Sequence, residues 1–149
     1  LVRTLAQRPV TSVSAFANRL GDLDFPKDKT TAAIFRFADD IVGQVTVTYE
    51  GRWPARKAID DHLRILGTKG SIFGNQVYRE GAEDWEEIPV ASGEIVTGIK
   101  GCVDACAEAI VTDGPIPVTA EDAFESLAAA CAADTAAATG QTQVPETLS

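Results

Sequence analysis

The stretch TTAAIFRFADDIVGQVTVTY, residues 30–49, decides the fold of this chain. In its first half Ala33, Phe35 and Phe37 occupy every second position, and its second half alternates in the same way with many valines and threonines. Such alternation is typical of a strand with one buried face, and β-branched residues favour strands. Two consecutive aspartates separate the halves, where this residue type favours a turn. The stretch therefore predicts two antiparallel strands: Thr30–Phe37 and Ile41–Tyr49.

Further short strands are predicted on both sides of this pair. Before it, alternation places Val13 and Ala15 on one side of a strand. After it, HLRILGTKGS (residues 62–71) alternates Leu63 and Ile65 with polar residues and then reaches a glycine-rich turn, which indicates a hairpin. The strands predicted outside the central pair are Val10–Leu20, His62–Leu66, Ser71–Phe73, Gln76–Arg79 and Trp85–Val90.

Helical patterns occur at the two ends of the chain. Leu1–Gln7 has the pattern of a helix end, and Ile95–Val111 carries apolar residues at helical spacing. A last helix is predicted to begin after Thr119, a good N-cap, and to end at Gly140, a favoured residue beyond a helix C-terminus. Its many alanines allow close packing against another surface.

Strands followed by helices predict an α+β fold, with a mostly antiparallel, open-faced sheet and helices packed on one face. The length of 149 residues fits a single domain, residues 1–149. The uncovered sheet face is predicted to be polar and therefore to contact water or a partner. Its predicted residues are Ser12, Ser14, Arg36, Gln44, Thr46, Thr48, His62 and Arg64.

Composition excludes several classes of partner. The chain has 22 acidic and 13 basic residues, a net charge of −9, which argues against nucleic acid and anionic membranes. No apolar run approaches the ~20 residues that a membrane-spanning helix needs. No secretory signal opens the sequence. The cysteines, an odd number without a disulfide framework, are expected in a reducing cytoplasm.

The cysteines and the single histidine do not suggest a metal centre. Cys102, Cys106 and Cys131 are too few and too irregular for a disulfide framework. With His62 as the only histidine, a zinc site lacks ligands. The three thiols are therefore predicted to be reduced and buried.

No catalytic or cofactor-binding residue is predicted from the sequence. The turn Gly67–Gly70 carries Lys69, but it lacks the spacing of a phosphate-binding loop and leads into a strand instead of a helix. The G-x-G-x-x-G pattern of dinucleotide-binding proteins is absent. His62 has no nucleophile beside it in the sequence, so a hydrolase built on it is the weakest alternative.

One loop is a candidate for binding a small molecule. Arg52 and Trp53 are adjacent at the end of a predicted strand. An arginine beside a tryptophan suits a hydroxylated or anionic ligand, although the two side chains can equally stack on each other as part of the fold. Arg52 and Trp53 are therefore the predicted substrate-binding residues.

Four segments resemble a known family, the C-terminal domain of the Gfo/Idh/MocA (glucose-fructose oxidoreductase / inositol dehydrogenase / MocA) oxidoreductases. The segments are RPVTSVSA (8–15), TTAAIFRFADDIVGQVTVTY (30–49), LRILGTKGSI (63–72) and GPIPVTAEDAFESLAAACAADTAAATG (114–140), in the order in which the family has them. The resemblance implies a substrate-binding and oligomerisation domain that works beside a Rossmann domain binding NAD or NADP. It also implies hydride transfer on a sugar or polyol, and pairing of subunits through the open sheet face.

The resemblance also implies that the catalytic machinery lies elsewhere. The family's Glu-Lys-Pro segment and nucleotide domain have no counterpart here, and its Asp and His pair belongs upstream of Leu1. The chain contains no Met and opens with Leu1, so we expect a fragment that lacks the Rossmann domain, binds no cofactor and is inactive by itself. The alternative is a stand-alone, non-catalytic interaction or dimerisation module of the same fold.

Overall fold

The computed structural model describes residues 1–22, 24–49, 63–89 and 95–148, without the side chains of 95–97. These residues belong to two compact units, Leu1–Arg52 with Val118–Ser149 and Trp53–Pro117. The elements in chain order are α1 (Val2–Ala6), β1 (Val10–Asn18), β2 (Thr30–Phe37), β3 (Val42–Thr48), β4 (Arg64–Gly67), β5 (Gly70–Phe73), β6 (Gln76–Arg79), β7 (Glu86–Glu87), α2 (Ile95–Thr112) and α3 (Ala120–Thr139).

The first unit contains the antiparallel sheet β1–β2–β3. Ala33 in the central strand lies opposite Ala15 of β1 and Val45 of β3, which fixes the register of the three strands. The C-terminal segment adds to the free side of β1, where Val13 and Gln143 exchange two backbone hydrogen bonds of 2.8 Å. The antiparallel strand pair predicted from residues 30–49 is thus confirmed.

The core of the first unit lies between this sheet and α3. Val13, Ala15 and Ala33 are buried from the sheet side, and the alanines of α3 meet them. The buried alanines of the helix are Ala128, Ala129, Ala132, Ala133 and Ala136. Because alanine has a short side chain, the helix axis can approach the sheet closely, which explains the alanine-rich composition of this segment.

Both predicted ends of α3 are confirmed. The Thr119 side chain accepts a hydrogen bond from the backbone N–H of Asp122 at 3.1 Å. At the other end Gly140 has a φ of 68° and donates its backbone N–H to Ala136. Side-chain capping and a left-handed terminal glycine satisfy backbone groups that a helix end leaves unpaired.

Helix α1 lies against β3 at a glycine. A Cβ atom at Gly43 would overlap the Val2 side chain and would lie 3.0 Å from the Phe37 ring. Any larger residue at this position would therefore push α1 away from the strand. Gly43 is required for close approach of these two elements.

The second unit contains a separate four-stranded antiparallel sheet in the order β4–β5–β6–β7. In the part of the chain that the structure describes, the strands thus form two hydrogen-bonded sheets, where the sequence suggested one. The last strand is also shorter than predicted and comprises only Glu86–Glu87. The α+β class is confirmed, with antiparallel pairing throughout these strands.

The prediction of buried cysteines is wrong for at least two of the three thiols. Cys102 and Cys131 are exposed, and Cys106 is half-buried. For Cys131 the reason is its angular position on α3, because the buried alanines occupy the opposite side of the helix. Helix α2 also exposes some of the apolar residues that occur at helical spacing, such as Ile99 and Val103. None of the helices described is long and apolar enough to cross a membrane.

Candidate functional site

The predicted substrate-binding residues Arg52 and Trp53 lie outside the described residues, as does His62. Their roles therefore stay predictions. The described surfaces that bear on function are the glycine-rich turn, the open sheet face, an aromatic cluster and an ion-paired arginine.

The glycine-rich turn forms a β-hairpin. Gly67 and Gly70 are paired across β4 and β5, and Lys69 at the tip is exposed. A Cβ atom at Gly70 would overlap the Tyr78 carbonyl oxygen of the neighbouring strand, so glycine is needed for strand approach. A phosphate-binding loop leads into a helix, whereas this turn leads into a strand. The hairpin prediction is confirmed.

The open face of the first sheet carries six of the eight predicted polar residues, whereas Arg64 lies in β4 of the other sheet and His62 lies outside the described residues. Side chains alternate along a strand, so the neighbours of the buried Val13 and Ala15 point away from α3. Ser12 lies opposite Arg36 in the register, and Ile34 lies between Ser14 and Gln44 on its two sides. Thr46 and Thr48 continue the face along β3.

The same face exposes apolar side chains that the sequence analysis did not include in it. They are Phe16, 77% exposed, Ile34, 52% exposed, and Val42, 63% exposed. The strand alternation already places them on this side, so the signal was available in the sequence. Exposed apolar residues among hydroxyl and amide groups are typical of protein–protein interfaces.

Aromatic residues cluster on the sheet of the second unit. The Trp85 ring contacts Phe73 edge-on with centroids 5.3 Å apart, and its centroid is 5.8 Å from that of Tyr78. The Arg64 guanidinium lies 4.5 Å from the centre of the Phe73 ring. Such contacts stabilise a small sheet, and Trp85 keeps part of its apolar surface exposed.

An ion-paired arginine connects α1 to α3. Arg3 donates to the Asp122 carboxylate, and its guanidinium lies 2.8 Å from Glu125. The hydrogen bond from Arg3 holds the pKa of Asp122 below its ordinary value, assisted by the Thr119 contact and opposed by desolvation. Asp122 lies in the first turn of the helix, where negative charge is favourable.

A shallow groove follows the outer side of α3. It has a volume of about 320 Å³ and is lined by side chains that include Phe124, Leu127, Cys131 and Val144. The lining mixes these apolar side chains with the polar Thr135, Gln143 and Glu146.

Comparison with known proteins identifies a family for the N-terminal half. Residues 1–73 match the model of the GFO/IDH/MocA C-terminal domain. No curated protein sequence matches the chain.

Solved structures share the fold along nearly the whole chain. An oxidoreductase from Agrobacterium radiobacter, in complex with NAD+, L-tartaric acid and magnesium, aligns with a TM-score of 0.76 at 16% identity over 91% of this chain. An aldose-aldose oxidoreductase from Caulobacter crescentus, complexed with glycerol, aligns at 0.73 and 17% identity over 96%. The WlbA dehydrogenase from Bordetella pertussis, in complex with NADH and UDP-GlcNAcA, aligns at 0.64 and 20% identity over 95%.

The present chain spans less than half of each of these structures. The alignments cover 43%, 43% and 41% of their lengths, respectively. The fold is shared with one part of each longer protein. Over residues 1–73 the chain matches the GFO/IDH/MocA C-terminal domain, and over nearly its full length it shares the fold of solved oxidoreductases, so the resemblance that its motifs predict is confirmed.

Proposed function

We propose that this chain is the substrate-binding and dimerisation domain of an NAD(P)-dependent sugar or polyol oxidoreductase. The observation that carries the proposal is the family match over residues 1–73, together with the fold it shares with oxidoreductases. The reaction is hydride transfer, and the nucleotide-binding and catalytic groups belong to a Rossmann domain outside the present 149 residues.

The structural neighbours support the substrate class and the cofactor. Their ligands include a hydroxy acid, a nucleotide sugar acid and a nicotinamide cofactor, NAD+ or NADH. These ligands are rich in hydroxyl and carboxylate groups. An arginine next to a tryptophan can hold such a molecule through charge and ring stacking, which supports Arg52 and Trp53 as the substrate contacts.

The open face of the first sheet supports the dimerisation role. It combines exposed apolar residues with hydroxyl, amide and guanidinium groups, so two copies can bury apolar area while pairing polar groups. In the proposal the partner is a second copy of this chain, and the interface is isologous.

A fluorescence titration with NADH and then NADPH tests whether the nucleotide-binding site lies outside this chain. We expect the isolated chain to show no saturable binding of either nucleotide. A longer protein that includes the upstream coding sequence should bind NADH or NADPH and oxidise a polyol or sugar. In that longer protein, Arg52→Ala and Trp53→Ala should raise KM with smaller effects on kcat. Saturable micromolar binding of NADH by the isolated chain would contradict the proposal. An upstream sequence without a nucleotide-binding domain would favour a stand-alone interaction module.

A further inference from the structure

Helix α2 carries two thiols on one face. Cys102 and Cys106 are four residues apart, and both are free. Residues with this spacing lie on adjacent turns, with Cβ atoms about 5–6 Å apart. A disulfide needs Cβ atoms about 3.5–4.5 Å apart, so the helix geometry opposes closing this pair into a disulfide. The two sulfurs are therefore available together as a reduced pair.

The exposure and the number of these thiols decide which metal ions they can bind. Cys102 is exposed and Cys106 is half-buried, so an ion can reach both from solvent. Among the described residues no group of three or more His, Cys, Asp or Glu side chains is arranged to hold a metal ion, and zinc needs four ligands. A soft monovalent cation differs, because Cu(I) prefers thiolates and is satisfied by two of them in a linear arrangement.

The local charge favours a cation over an anion. Lys100, the nearest base on the helix, is ion-paired with Asp104. Glu108 lies two residues beyond Cys106 and is exposed. The net charge of the whole chain is −9, which adds to the attraction of a positive ion.

We propose that Cys102 and Cys106 form a two-thiolate site for a soft monovalent cation such as Cu(I). Each thiol releases one proton to solvent as its sulfur binds, so one Cu(I) displaces two protons and no group is oxidised or reduced. Because protons compete with the metal for sulfur, the apparent affinity rises with pH. The inference is independent of the nucleotide-dependent function proposed above.

The test is a Cu(I) titration of the 149-residue chain under anaerobic conditions, in competition with a chromogenic Cu(I) chelator. We expect one Cu(I) per chain, and binding at least tenfold weaker in Cys102→Ser and in Cys106→Ser. Cys131→Ser is the matched control, since Cys131 is an exposed thiol on a different helix, and it should leave binding unchanged. Equal binding by all three variants and the wild type, or loss in Cys131→Ser alone, would overturn the proposal.

A spacing test separates a shared site from two independent thiols. In the Cys106→Ser background, Ala105→Cys places the second thiol three residues from Cys102, on the same helix face, and should restore tight binding. Ala107→Cys places it five residues away, on a different face, and should not. Equal restoration by both variants would show that Cu(I) binds single thiols and would contradict the two-thiolate site.

Discussion

The guanidinium of Arg3 donates a hydrogen bond to the carboxylate of Asp122 and so ties α1 to the first turn of α3. These residues are separated by 119 positions in the sequence, so the contact links the two chain segments that make up the first unit. Arg3 also pairs with Glu125, which gives its charge two partners on the same helix.

This contact predicts a pH-dependent contribution to stability. The hydrogen bond from Arg3 lowers the pKa of Asp122 in the folded state. The charged carboxylate therefore stabilises the fold above its unfolded pKa, and the contribution is lost as pH falls through the lower folded pKa. We expect Asp122→Asn to lower Tm at pH 7, and the difference from wild type to disappear in acid.

A double-mutant cycle with Arg3→Ala checks the cause. In the Arg3→Ala background, Asp122→Asn should have a smaller effect on Tm, because the partner of the carboxylate is gone. Asp134→Asn, at an exposed position of the same helix, serves as the control and should change Tm little. An effect of Asp122→Asn that is unchanged by Arg3→Ala would assign the stabilisation to helix capping instead.

The turn between β2 and β3 is strained at two aspartates. Asp39 and Asp40 have φ values of 60° and 58°, in the left-handed region that favours glycine. The Asp39 carboxylate also accepts a hydrogen bond from Arg8 at 2.6 Å. Of the two aspartates, only Asp40 can therefore be replaced without loss of this ion pair. We expect Asp40→Gly to raise the free energy of unfolding by about 0.5–1 kcal/mol, since relief of strain outweighs the added chain entropy.

Chemical denaturation measures this change. The control is Asp24→Gly, at an exposed position between β1 and β2. There the substitution only adds chain entropy, so it should be neutral or destabilising. A loss of stability in Asp40→Gly as large as that in Asp24→Gly would show that the turn is not strained.

Close packing of α3 on the sheet predicts sensitivity to larger residues. Ala136 is 1% exposed and belongs to the cluster with Val13 and Ala15. Ala136→Leu should lower the free energy of unfolding by about 1–3 kcal/mol, because the added atoms force the helix away from the sheet. Ala130→Leu, on the exposed side of the same helix, should be nearly neutral in the same denaturant titration. Equal effects would contradict the packing described.

The local elements of this fold were predictable because their signals are local. The alternation in residues 30–49, the Thr119 cap and the terminal Gly140 each depend on neighbours within a few positions. The exposure of Cys102 and the separation of the strands into two sheets depend on which distant segments meet, and periodicity does not specify that. For the same reason, alternation places the exposed apolar residues of the open face on the correct side of their strands but does not show that they form one surface.

In the proposed dimer, Ile34 is the side chain that we expect to contribute most to the binding energy. Ile34 is in the central strand of the first sheet, is 52% exposed and lies between Ser14 and Gln44. Residues near the centre of an interface lose the most water and carry most of the binding energy. Replacing Ile34 with glutamate would bury a charge in each subunit of a symmetric pair. We expect Ile34→Glu to weaken dimerisation at least tenfold in sedimentation velocity.

The control for this experiment is the same substitution at an apolar residue of similar exposure that belongs to the second unit and to no strand. Ile116 is 57% exposed and lies between two prolines outside the strands, so Ile116→Glu should leave the dimer intact. Because Ile34 is already half exposed, Ile34→Glu should not lower Tm of the monomer strongly, and a thermal melt at low concentration verifies this. A wild-type chain that stays monomeric at high concentration would contradict the proposed dimer. A dimer that tolerates Ile34→Glu would show that the interface does not lie on this face.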